Sequence, residues 1–404
     1  MSDSVLQQRS GRPVYRWYVG GQAVSVLGDQ VWYVALSWSA VQLASPGVAG
    51  AVMAVSAVPR LAFLLLGGAV VDRHDGRRLM IGSDLLRCVV ALVAAVVAGW
   101  QPSIALLVTV AFVFGAADAI FLPAAAAVPP RLLAPADLSR GAALNALAAR
   151  LALTVGAPLG GVLVAAGGLP VACVVDAATF LVSVMALRRL PPGPAAGPGS
   201  EPVTVALRSG LRYLGRHRLL RTVLLVSLLT NLGFVGPMNI GLALVSDQRG
   251  WGSAGVGALL AGFGAGAVAS SLVMLRVRWR WSVGVAMAVG IAVQGLAVLA
   301  VAVAGRLETT VAATVVVGLT SGVVGILSSA LTQARTDDAF RGRVGSVSSF
   351  ANLGVTPLAM AVTGVAADRI GTVPAFVACA GLELVGAALC LTVADLRKAS
   401  LPQA

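Results

Sequence analysis

The sequence predicts an all-α integral membrane protein with twelve transmembrane helices, arranged as two six-helix halves. Three observations carry this prediction. Of 404 residues, 58% are hydrophobic and only 11% are charged, whereas an ordinary soluble domain carries about 25% charged residues. Apolar segments of about 20 residues, the length that crosses a hydrocarbon core of roughly 30 Å, recur along the chain. The basic residues also concentrate in alternate connections between those segments.

Charged residues and Gly/Pro clusters separate the apolar segments and so mark the ends of the predicted helices. The predicted spans are residues 17–42, 47–71, 79–99, 103–127, 141–166 and 168–187 in the first half, and residues 222–246, 251–275, 281–304, 308–332, 344–367 and 372–393 in the second half. The first apolar segment is too long for the core of a signal peptide. We therefore expect it to remain as a helix.

The two sides of the predicted membrane protein differ sharply in basic charge. The amino terminus, the tail and alternate connections carry 23 Arg and Lys residues, whereas the opposite connections carry three, Arg249, Arg306 and Arg369. Cytoplasmic loops hold the excess of Arg and Lys in membrane proteins. Both termini are therefore predicted to be cytoplasmic. The dominance of Arg over Lys, with the abundance of Ala, Val and Gly, favours a bacterial cell (inner) membrane.

The net charge of +13 is compatible with nucleic-acid binding, but its distribution argues against it. The arginines fall in short clusters between apolar segments instead of along one face, a pattern typical of membrane topology. The four cysteines all lie in predicted spans without CxxC spacing, so neither a disulfide nor a metal site is expected.

A Pro/Gly-rich segment in the middle of the chain predicts the boundary between the halves. Residues 188–202 read RRLPPGPAAGPGSEP, which cannot sustain a helix. We expect a first bundle at 1–187, a cytoplasmic linker at 188–221 and a second bundle at 222–404. Within the linker, residues 203–218 place apolar side chains among arginines, as in an amphipathic helix at an anionic membrane surface. The apolar positions are Val205, Leu207, Leu211 and Leu214, and the arginines are Arg208, Arg212, Arg216 and Arg218.

Similar sequences occur at corresponding places in the two halves. The segment D-x-x-R-G occurs at 137–141 before the fifth span and at 338–342 before the eleventh. A Gly/Pro segment follows each one, at 156–158 and at 354–357. Two matches in register indicate an internal repeat, as in transporters built from two parallel six-helix units.

The loop after the second span carries a recognisable signature, in which Gly67 and Gly68 precede Asp72-Arg73 and a basic cluster. It resembles the loop signature of the major facilitator superfamily. The segments GDQ at 28–30, SDLLR at 83–87 and FLPAAAAVPP at 121–130 resemble its drug:proton antiporter subgroup, which contains macrolide efflux proteins and the enterobactin exporter. The resemblance implies twelve spans and an alternating-access transporter. It also implies a cytoplasmic gate, for which the candidates are Asp72, Arg73, Arg77 and Arg78, and a simple positive-inside loop is the alternative.

The fifth span contains Gly156-Ala-Pro158-Leu-Gly160-Gly161. It resembles the antiporter signature G-P-x-x-G-G of the same superfamily, with the proline one place later, and so implies export. Proline kinks a helix and glycines allow close packing against a neighbour. Both a bending and a leak-sealing role are therefore open, and pure packing is the alternative.

Ionisable residues inside spans are costly and indicate functional sites. They concentrate in the first half, at Asp29, Arg60, Asp84, Arg87, Asp118, Arg150 and Asp176, whereas Glu383 is the clear case in the second half. Counting at ~1.5 Å per residue predicts that Asp29 shares a depth with Arg60, and Asp118 with Arg150. A movement that breaks such a pair changes the protonation of its carboxylate, as proton coupling requires. We therefore take Asp29 and Asp118 as proton carriers, with permanent structural pairs as the alternative.

The predicted substrate pocket lies at the midplane between the halves. The second half offers few polar side chains at that depth, which favours a bulky apolar or cationic amphiphile. The candidate pocket residues are Asn231, Phe234, Met238, Asn239, Phe263 and Glu383. Core packing is the alternative for each of them.

Other classes of membrane protein fit less well. An enzyme needs clustered nucleophiles, acids or metal ligands, yet the two histidines, His74 and His217, fall in predicted loops. A channel needs a selectivity filter or a ring of charge, and a nucleotide-driven pump needs a GxxxxGK[ST] loop. We expect a monomeric secondary transporter without cofactor that exports a small molecule, such as a drug, antibiotic or siderophore-like product, in exchange for protons. Transport of a nutrient or lipid on the same fold remains open, as does, less favourably, a polytopic enzyme.

Overall fold

A computed structural model of the chain describes residues 3–71, 75–192, 203–276 and 282–400. These residues form helices and connecting turns, with no strand among them. The helices are α1 (Asp3–Leu43), α2 (Pro46–Val71), α3 (Gly76–Trp100), α4 (Ile104–Ala126), α5 (Val128–Leu132), α6 (Leu138–Leu187), α7 (Val203–Arg216), α8 (Arg218–Gly236), α9 (Leu242–Gln248), α10 (Gly252–Arg276), α11 (Val283–Val303), α12 (Leu307–Arg335), α13 (Arg341–Ile370), α14 (Thr372–Thr392) and α15 (Ala394–Arg397). The predicted all-α fold class is confirmed.

Within the described ranges, nine helical segments are long and apolar enough to cross a membrane. One of them, Pro135–Leu187, contains the predicted fifth and sixth spans. Gly168 separates the two with φ +66°, a left-handed conformation that glycine adopts without a Cβ clash. A second long segment, Arg218–Gln248, joins α8 to α9 through a turn of π-helix at Pro237–Gly241. The count of twelve spans stays a prediction.

The chain divides into two compact units. The first comprises residues 1–39 and 55–200, and the second comprises residues 40–54 and 201–404. The end of α1 and the start of α2 thus belong to the second unit. There a Cβ atom on Gly50 would lie 2.7 Å from the Met360 carbonyl oxygen, and Gln42 donates to Asp247 Oδ1 at 2.6 Å. Backbone-to-backbone packing through small residues holds this segment against α13.

Small residues also join α10 to α12 inside the second unit. A Cβ atom on Gly266 would lie 2.0 Å from the Val315 carbonyl oxygen, and one on Gly318 would lie 2.0 Å from the Phe263 carbonyl oxygen. Neither site has room for a side chain. Without a hydrophobic driving force between helices in lipid, such close approach supplies the packing energy.

A 3₁₀ turn meets a long helix at each of the repeated D-x-x-R-G segments, and the turn ends on Asp137 in the first unit but begins on Asp338 in the second. A single 3₁₀ turn, Pro135–Asp137 or Asp338–Phe340, leads directly into the long helix α6 or α13. A tyrosine hydroxyl from a preceding helix bonds to the first segment and to the residue just before the second segment. In the first unit Tyr15 donates to the Gly141 carbonyl at 2.9 Å, and in the second Tyr213 donates to Asp337 Oδ2 at 3.0 Å.

The helix α7 has the amphipathic pattern predicted for the linker, but its apolar residues divide between two environments. Leu214 is buried with Val344 of α13, and Leu207 packs against the same cluster. Val205 and Leu211 are exposed instead. One edge of α7 therefore packs on the start of α13. The apolar side chains on its other edge contact no other part of the second unit closely enough to be buried. The placement of α7 at a membrane surface stays a proposal.

Candidate functional site

A cluster of buried charges in the first unit centres on Arg87 of α3. The Arg87 side chain is 3% exposed, and its Nη1 lies 2.8 Å from Asp118 Oδ1 of α4. Its Nη2 lies 2.5 Å from Asp84 Oδ1, one turn earlier on α3, and its Nη1 is 3.8 Å from Asp29 Oδ1 of α1. One guanidinium therefore faces three carboxylates on three helices, an arrangement that its planar fork of donors suits.

Two aromatic rings enclose the Arg87 guanidinium. Its central carbon lies 5.1 Å from the ring centre of Phe121 and 4.5 Å from that of Phe180. Cation–π attraction of this kind strengthens when the cation is removed from water. The rings and the carboxylates together fix the position of Arg87.

The observed partner of Arg60 differs from the predicted one. Arg60 pairs with Asp118, which thereby contacts two arginines, instead of pairing with Asp29. The ion-pair partner of Asp29 in the structure is Arg87, and the pairing of Asp118 with Arg150 stays a prediction. Counting residues along a helix predicts depth but not the direction in which a side chain points. Depth alone therefore did not select the observed partner of Arg60.

Asp176 adds a further carboxylate to the same unit. It is fully buried, and Thr179 donates to its Oδ1 at 3.4 Å. Its Oδ2 has no hydrogen-bond partner among the described residues, and the same holds for Asp84 Oδ2. The cluster therefore combines four aspartates, at positions 29, 84, 118 and 176, with two arginines, at positions 60 and 87. Unpaired charge is costly to bury, and the carboxylates of this cluster outnumber its arginines.

Arg87, Asp84 and Asp176 were recognised in the sequence as ionisable residues in spans but were not assigned to the coupling site. The segment SDLLR indicated an ion pair between two of them, because Asp84 and Arg87 are three residues apart and share one face of α3. Asp176 had no such signal. It adjoins Gly28, where an added Cβ would lie 2.6 Å from Asp176 Oδ1, and this proximity follows only from the packing of α1 on α6.

Two of the four predicted gate residues, Asp72 and Arg73, lie outside the described residues. Arg77 donates from Nε to the Leu187 carbonyl at 3.3 Å and from Nη2 to the Arg188 carbonyl at 2.7 Å. A cation is favourable at these carbonyls because a helix carries partial negative charge at its C-terminus. Arg78 is exposed. Arg77 thus connects the start of α3 to the end of α6, and its role in gating stays a proposal.

The Gly/Pro segment of the fifth span packs closely on α1. A Cβ atom on Gly156 would lie 2.9 Å from the Leu27 carbonyl oxygen, and one on Gly160 would lie 2.9 Å from Val31 Cα. Pro158 lies between them inside α6, and Gly161 follows. Close packing is therefore a definite role of Gly156 and Gly160, and export direction from this segment stays a proposal.

We expect Gly160→Ala to destabilise the protein by about 1–3 kcal/mol, because the added methyl overlaps the α1 backbone. Gly82→Ala is the matched control. Nothing lies within 4 Å of a Cβ at Gly82, and alanine favours a helix interior over glycine by about 1 kcal/mol. Thermal unfolding in detergent should give a lower midpoint for Gly160→Ala and an unchanged or higher midpoint for Gly82→Ala. Equal midpoints in the two variants would contradict the close packing.

A cavity of about 460 Å³ opens within the second unit among α8, α11, α12 and α13. Its lining is rich in neutral hydrogen-bonding groups. Asn231 donates to Asn352 Oδ1 at 2.9 Å, and Ser227 donates to the same oxygen at 3.2 Å. Further polar lining residues are Thr230, Gln294, Ser321, Ser328, Ser329, Thr332, Gln333, Thr336, Arg341, Ser348 and Ser349. The cavity suits a ligand with both polar and apolar surface.

The structure places two of the six predicted pocket residues, Asn231 and Phe234, in the lining of this cavity. Met238 is buried in an adjacent apolar cluster against which Phe263 packs. Asn239 donates to the Val235 carbonyl of its own helix at 2.5 Å, and Glu383 is fully buried. None of these four lines the cavity. Sequence reasoning missed Asn352 and the serines of α12 and α13. A serine in a predicted helix does not indicate a cavity, because serines are also common where helices pack.

Comparison with known proteins extends the resemblance seen in the sequence. The family model of the Major Facilitator Superfamily matches residues 19–362. The multidrug efflux pump Tap of Mycobacterium tuberculosis is 27% identical over 375 residues, which cover 88% of each chain. The putative bacilysin exporter BacE of Bacillus subtilis is 29% identical over 180 residues, 44% of each chain.

Two solved structures share the fold. The nucleoside transporter NupG superposes with a TM-score of 0.72 at 14% identity, covering 94% of this chain and 98% of NupG. A bacterial homologue of the human lysosomal transporter Spinster superposes with a TM-score of 0.71 at 13% identity, covering 94% and 96%. With the family model matching most of its length and its helical fold shared with these transporters, the chain belongs to the major facilitator superfamily of membrane transporters.

Proposed function

We propose that the protein exports small amphiphilic molecules, such as drugs, antibiotics or siderophore-like natural products, in exchange for protons by alternating access. The observation that carries the proposal is the buried cluster around Arg87, in which carboxylates outnumber arginines. Export is supported by the similarity to Tap and to BacE, which are described as an efflux pump and a putative exporter.

Within the cluster, the two predicted proton carriers, Asp118 and Asp29, differ in their contacts with arginine. Asp118 contacts two arginines, and a carboxylate held by two cations has the character of a permanent structural pair. Asp29 is held loosely, at 3.8 Å from Arg87, and its side chain is 37% exposed. Asp29 is therefore the better proton carrier, since it can take up a proton while Arg87 remains bound to its other partners.

The cavity of the second unit supports an amphiphilic substrate. Phe234 and Met287 contribute apolar surface, whereas Asn231 and Asn352 contribute hydrogen-bonding groups. Few of its lining side chains carry a charge, which disfavours a phosphate ester.

The proposal also includes the orientation, the oligomeric state and the domain organisation of the chain. Both termini face the cytoplasm of a bacterial cell, and the chain acts as a monomer in the inner membrane, with bundles at 1–187 and 222–404 joined by the 188–221 linker. The excess of Arg and Lys on the proposed cytoplasmic side supports this orientation. The loop with Asp72, Arg73, Arg77 and Arg78 serves as the cytoplasmic gate.

Everted membrane vesicles containing the protein test the proposal. An imposed pH gradient, acidic inside, should drive the uptake of labelled substrates into the vesicles, because the everted membrane reverses the direction of export. Several drug and siderophore classes should be compared, with vesicles lacking the protein as the control. Uptake that is equal in both vesicles for every class, or uptake indifferent to the gradient, would contradict proton-driven export.

We expect Asn352→Ala to weaken substrate recognition. Loss of a hydrogen bond of about 1 kcal/mol corresponds to a severalfold increase in KM, with little change in the amount of protein in the membrane. Asn239→Ala is the matched control, because Asn239 does not line the cavity. Transport rates measured over a range of substrate concentrations in the same vesicles separate the two variants. An unchanged KM for Asn352→Ala would exclude this cavity as the substrate site.

A further inference from the structure

The helix α7 is fixed to the second unit along one face. A Cβ atom on Gly210 would lie 2.6 Å from the Arg343 carbonyl oxygen of α13, so a side chain has no room at this contact. Tyr213 donates to Asp337 Oδ2 at 3.0 Å, and its ring stacks on that of Phe340 with 4.4 Å between the ring centres. These contacts set the rotation of α7 about its axis and so determine which residues its opposite face presents.

The opposite face of α7 is basic. Arg208, Arg212 and Arg216 follow one another at intervals of four residues, which places them on one side of the helix, and all three are exposed. The α7 sequence contains no aspartate or glutamate. Among the residues that the structure describes, no acidic side chain forms an ion pair with any of the three. Like charges at this spacing repel one another, and an anion lying along the face would remove that repulsion.

Two apolar side chains are exposed beside these arginines. Val205 is 48% exposed and Leu211 is 57% exposed. Leu211 is three residues after Arg208, and Val205 is seven residues before Arg212, so both lie on the same side of the helix as the arginines. A helix at a membrane interface combines these two residue types, because anionic lipids attract the basic side chains while the apolar ones enter the boundary between headgroups and acyl chains.

The connection to the next helix keeps α7 close to the membrane. Only His217 separates the end of α7 at Arg216 from the start of α8. There begins the segment Arg218–Gln248, which is long and apolar enough to cross a membrane, and one extended residue spans at most about 3.6 Å. The side of the membrane that holds this connection is rich in arginine and is predicted to be cytoplasmic, where the leaflet carries anionic lipids.

We propose that this basic face, formed by Val205, Arg208, Leu211, Arg212 and Arg216, binds the phosphate headgroups of anionic phospholipids. The planar guanidinium of arginine offers two parallel N–H donors to a phosphate, and the three arginines form a row about 12 Å long. Bound lipid holds α7 in place against α13 and thereby stabilises the second unit. The inference does not depend on which molecule the protein transports.

Thermal unfolding of the purified full-length protein in mixed micelles tests the site. The midpoint should rise with the fraction of phosphatidylglycerol, because a ligand that binds the folded state stabilises it, and should not rise with the same fraction of phosphatidylcholine. Each arginine near an anionic surface strengthens binding about fivefold. A triple variant with Arg208→Gln, Arg212→Gln and Arg216→Gln should therefore need roughly a hundredfold more phosphatidylglycerol for half of the shift. An equal rise with both lipids, or an unaltered response in the variant, would overturn the site.

The matched control removes three exposed arginines from other helix ends and loops, through Arg276→Gln, Arg306→Gln and Arg369→Gln. It has the same net charge as the first variant and should keep the wild-type response to phosphatidylglycerol. A response lost equally from both variants would show that net charge alone attracts the lipid and would overturn the site. In phosphatidylcholine both variants should unfold close to the wild-type midpoint, because exposed charges contribute little to stability.

Two further measurements use the wild type alone and so do not require the variants to fold. Native mass spectrometry should detect phosphatidylglycerol retained on the protein in preference to phosphatidylcholine, and equal retention of the two would contradict the site. Soluble glycerol phosphate carries the same phosphate without acyl chains. It should leave the midpoint unchanged at concentrations at which phosphatidylglycerol raises it. Equal stabilisation by glycerol phosphate would assign the face to a free phosphate compound and overturn lipid binding.

Discussion

Replacing Arg87 by leucine should destabilise the protein by about 3–5 kcal/mol, the cost of removing one partner from a buried ion pair. Arg87 is 3% exposed and faces Asp29, Asp84 and Asp118. Without it, Arg60 is the remaining cation of the cluster for the same carboxylates. We expect little folded Arg87→Leu protein in the membrane, and a large decrease in the thermal unfolding midpoint of what is recovered.

Arg276→Leu is the matched control, since Arg276 is exposed at the end of α10. Its loss should change the unfolding midpoint by little, because exposed charges contribute at most about 1 kcal/mol. Arg87→Lys should recover part of the stability, because an ammonium group keeps the charge but cannot make the same forked contacts. A yield and midpoint for Arg87→Leu equal to those of Arg276→Leu would show that the cluster does not stabilise the fold.

Replacing Asp29 by asparagine should leave the protein inserted and folded but abolish the response of export to a pH gradient. Asp29 is the loosely held carboxylate of the cluster, 3.8 Å from Arg87, and asparagine preserves its size while removing its titration. Accumulation of substrate in everted vesicles should fall to the level reached without a gradient. Exchange of labelled for unlabelled substrate across the membrane should continue, because it needs no net proton movement.

Asp118→Asn provides the contrast for this experiment. Asp118 contacts both Arg60 and Arg87, so its replacement should lower the yield and the unfolding midpoint before transport is considered. If Asp29→Asn instead lost folded protein to the same extent as Asp118→Asn, Asp29 would be a structural residue. Gradient-driven accumulation retained by Asp29→Asn would exclude it as the proton carrier.

The sequence was sufficient to predict the fold class because the lipid bilayer restricts the backbone structures that a membrane-spanning segment can adopt. Apolar segments of spanning length can only be helices or strands of a closed barrel in lipid, and here their length and composition indicate helices. The family followed from the loop near Asp72 and from the segments at 28–30 and 83–87. The kink at Gly168, by contrast, could not be predicted, because glycine is abundant throughout the chain and few of its positions require a positive φ.

The candidate sites were predicted less completely. The ionisable residues of the spans were identified from their residue types. The pairs among Asp29, Arg60 and Asp118 depend on how each helix is rotated about its axis, which cannot be predicted from uniformly apolar segments. Two of the candidate pocket residues, Asn231 and Phe234, line the cavity of the second unit, whereas Asn352 was not anticipated. Serines and threonines in helices commonly bond to the backbone of their own helix, as Thr332 does to the Ser328 carbonyl. Their presence in a sequence therefore does not distinguish a cavity wall from a packed interface.

Proton movement that accompanies substrate transport distinguishes an antiporter from an uncoupled transporter. The wild type is reconstituted in liposomes that contain a pH indicator, and a concentration gradient of its substrate is imposed. As the substrate flows down this gradient, protons should cross the membrane in the opposite direction. Asp29→Asn should transport the substrate down its gradient without that proton movement. Wild-type transport that proceeds with no proton movement, at a rate indifferent to the pH on either side, would contradict proton antiport through the Arg87 cluster.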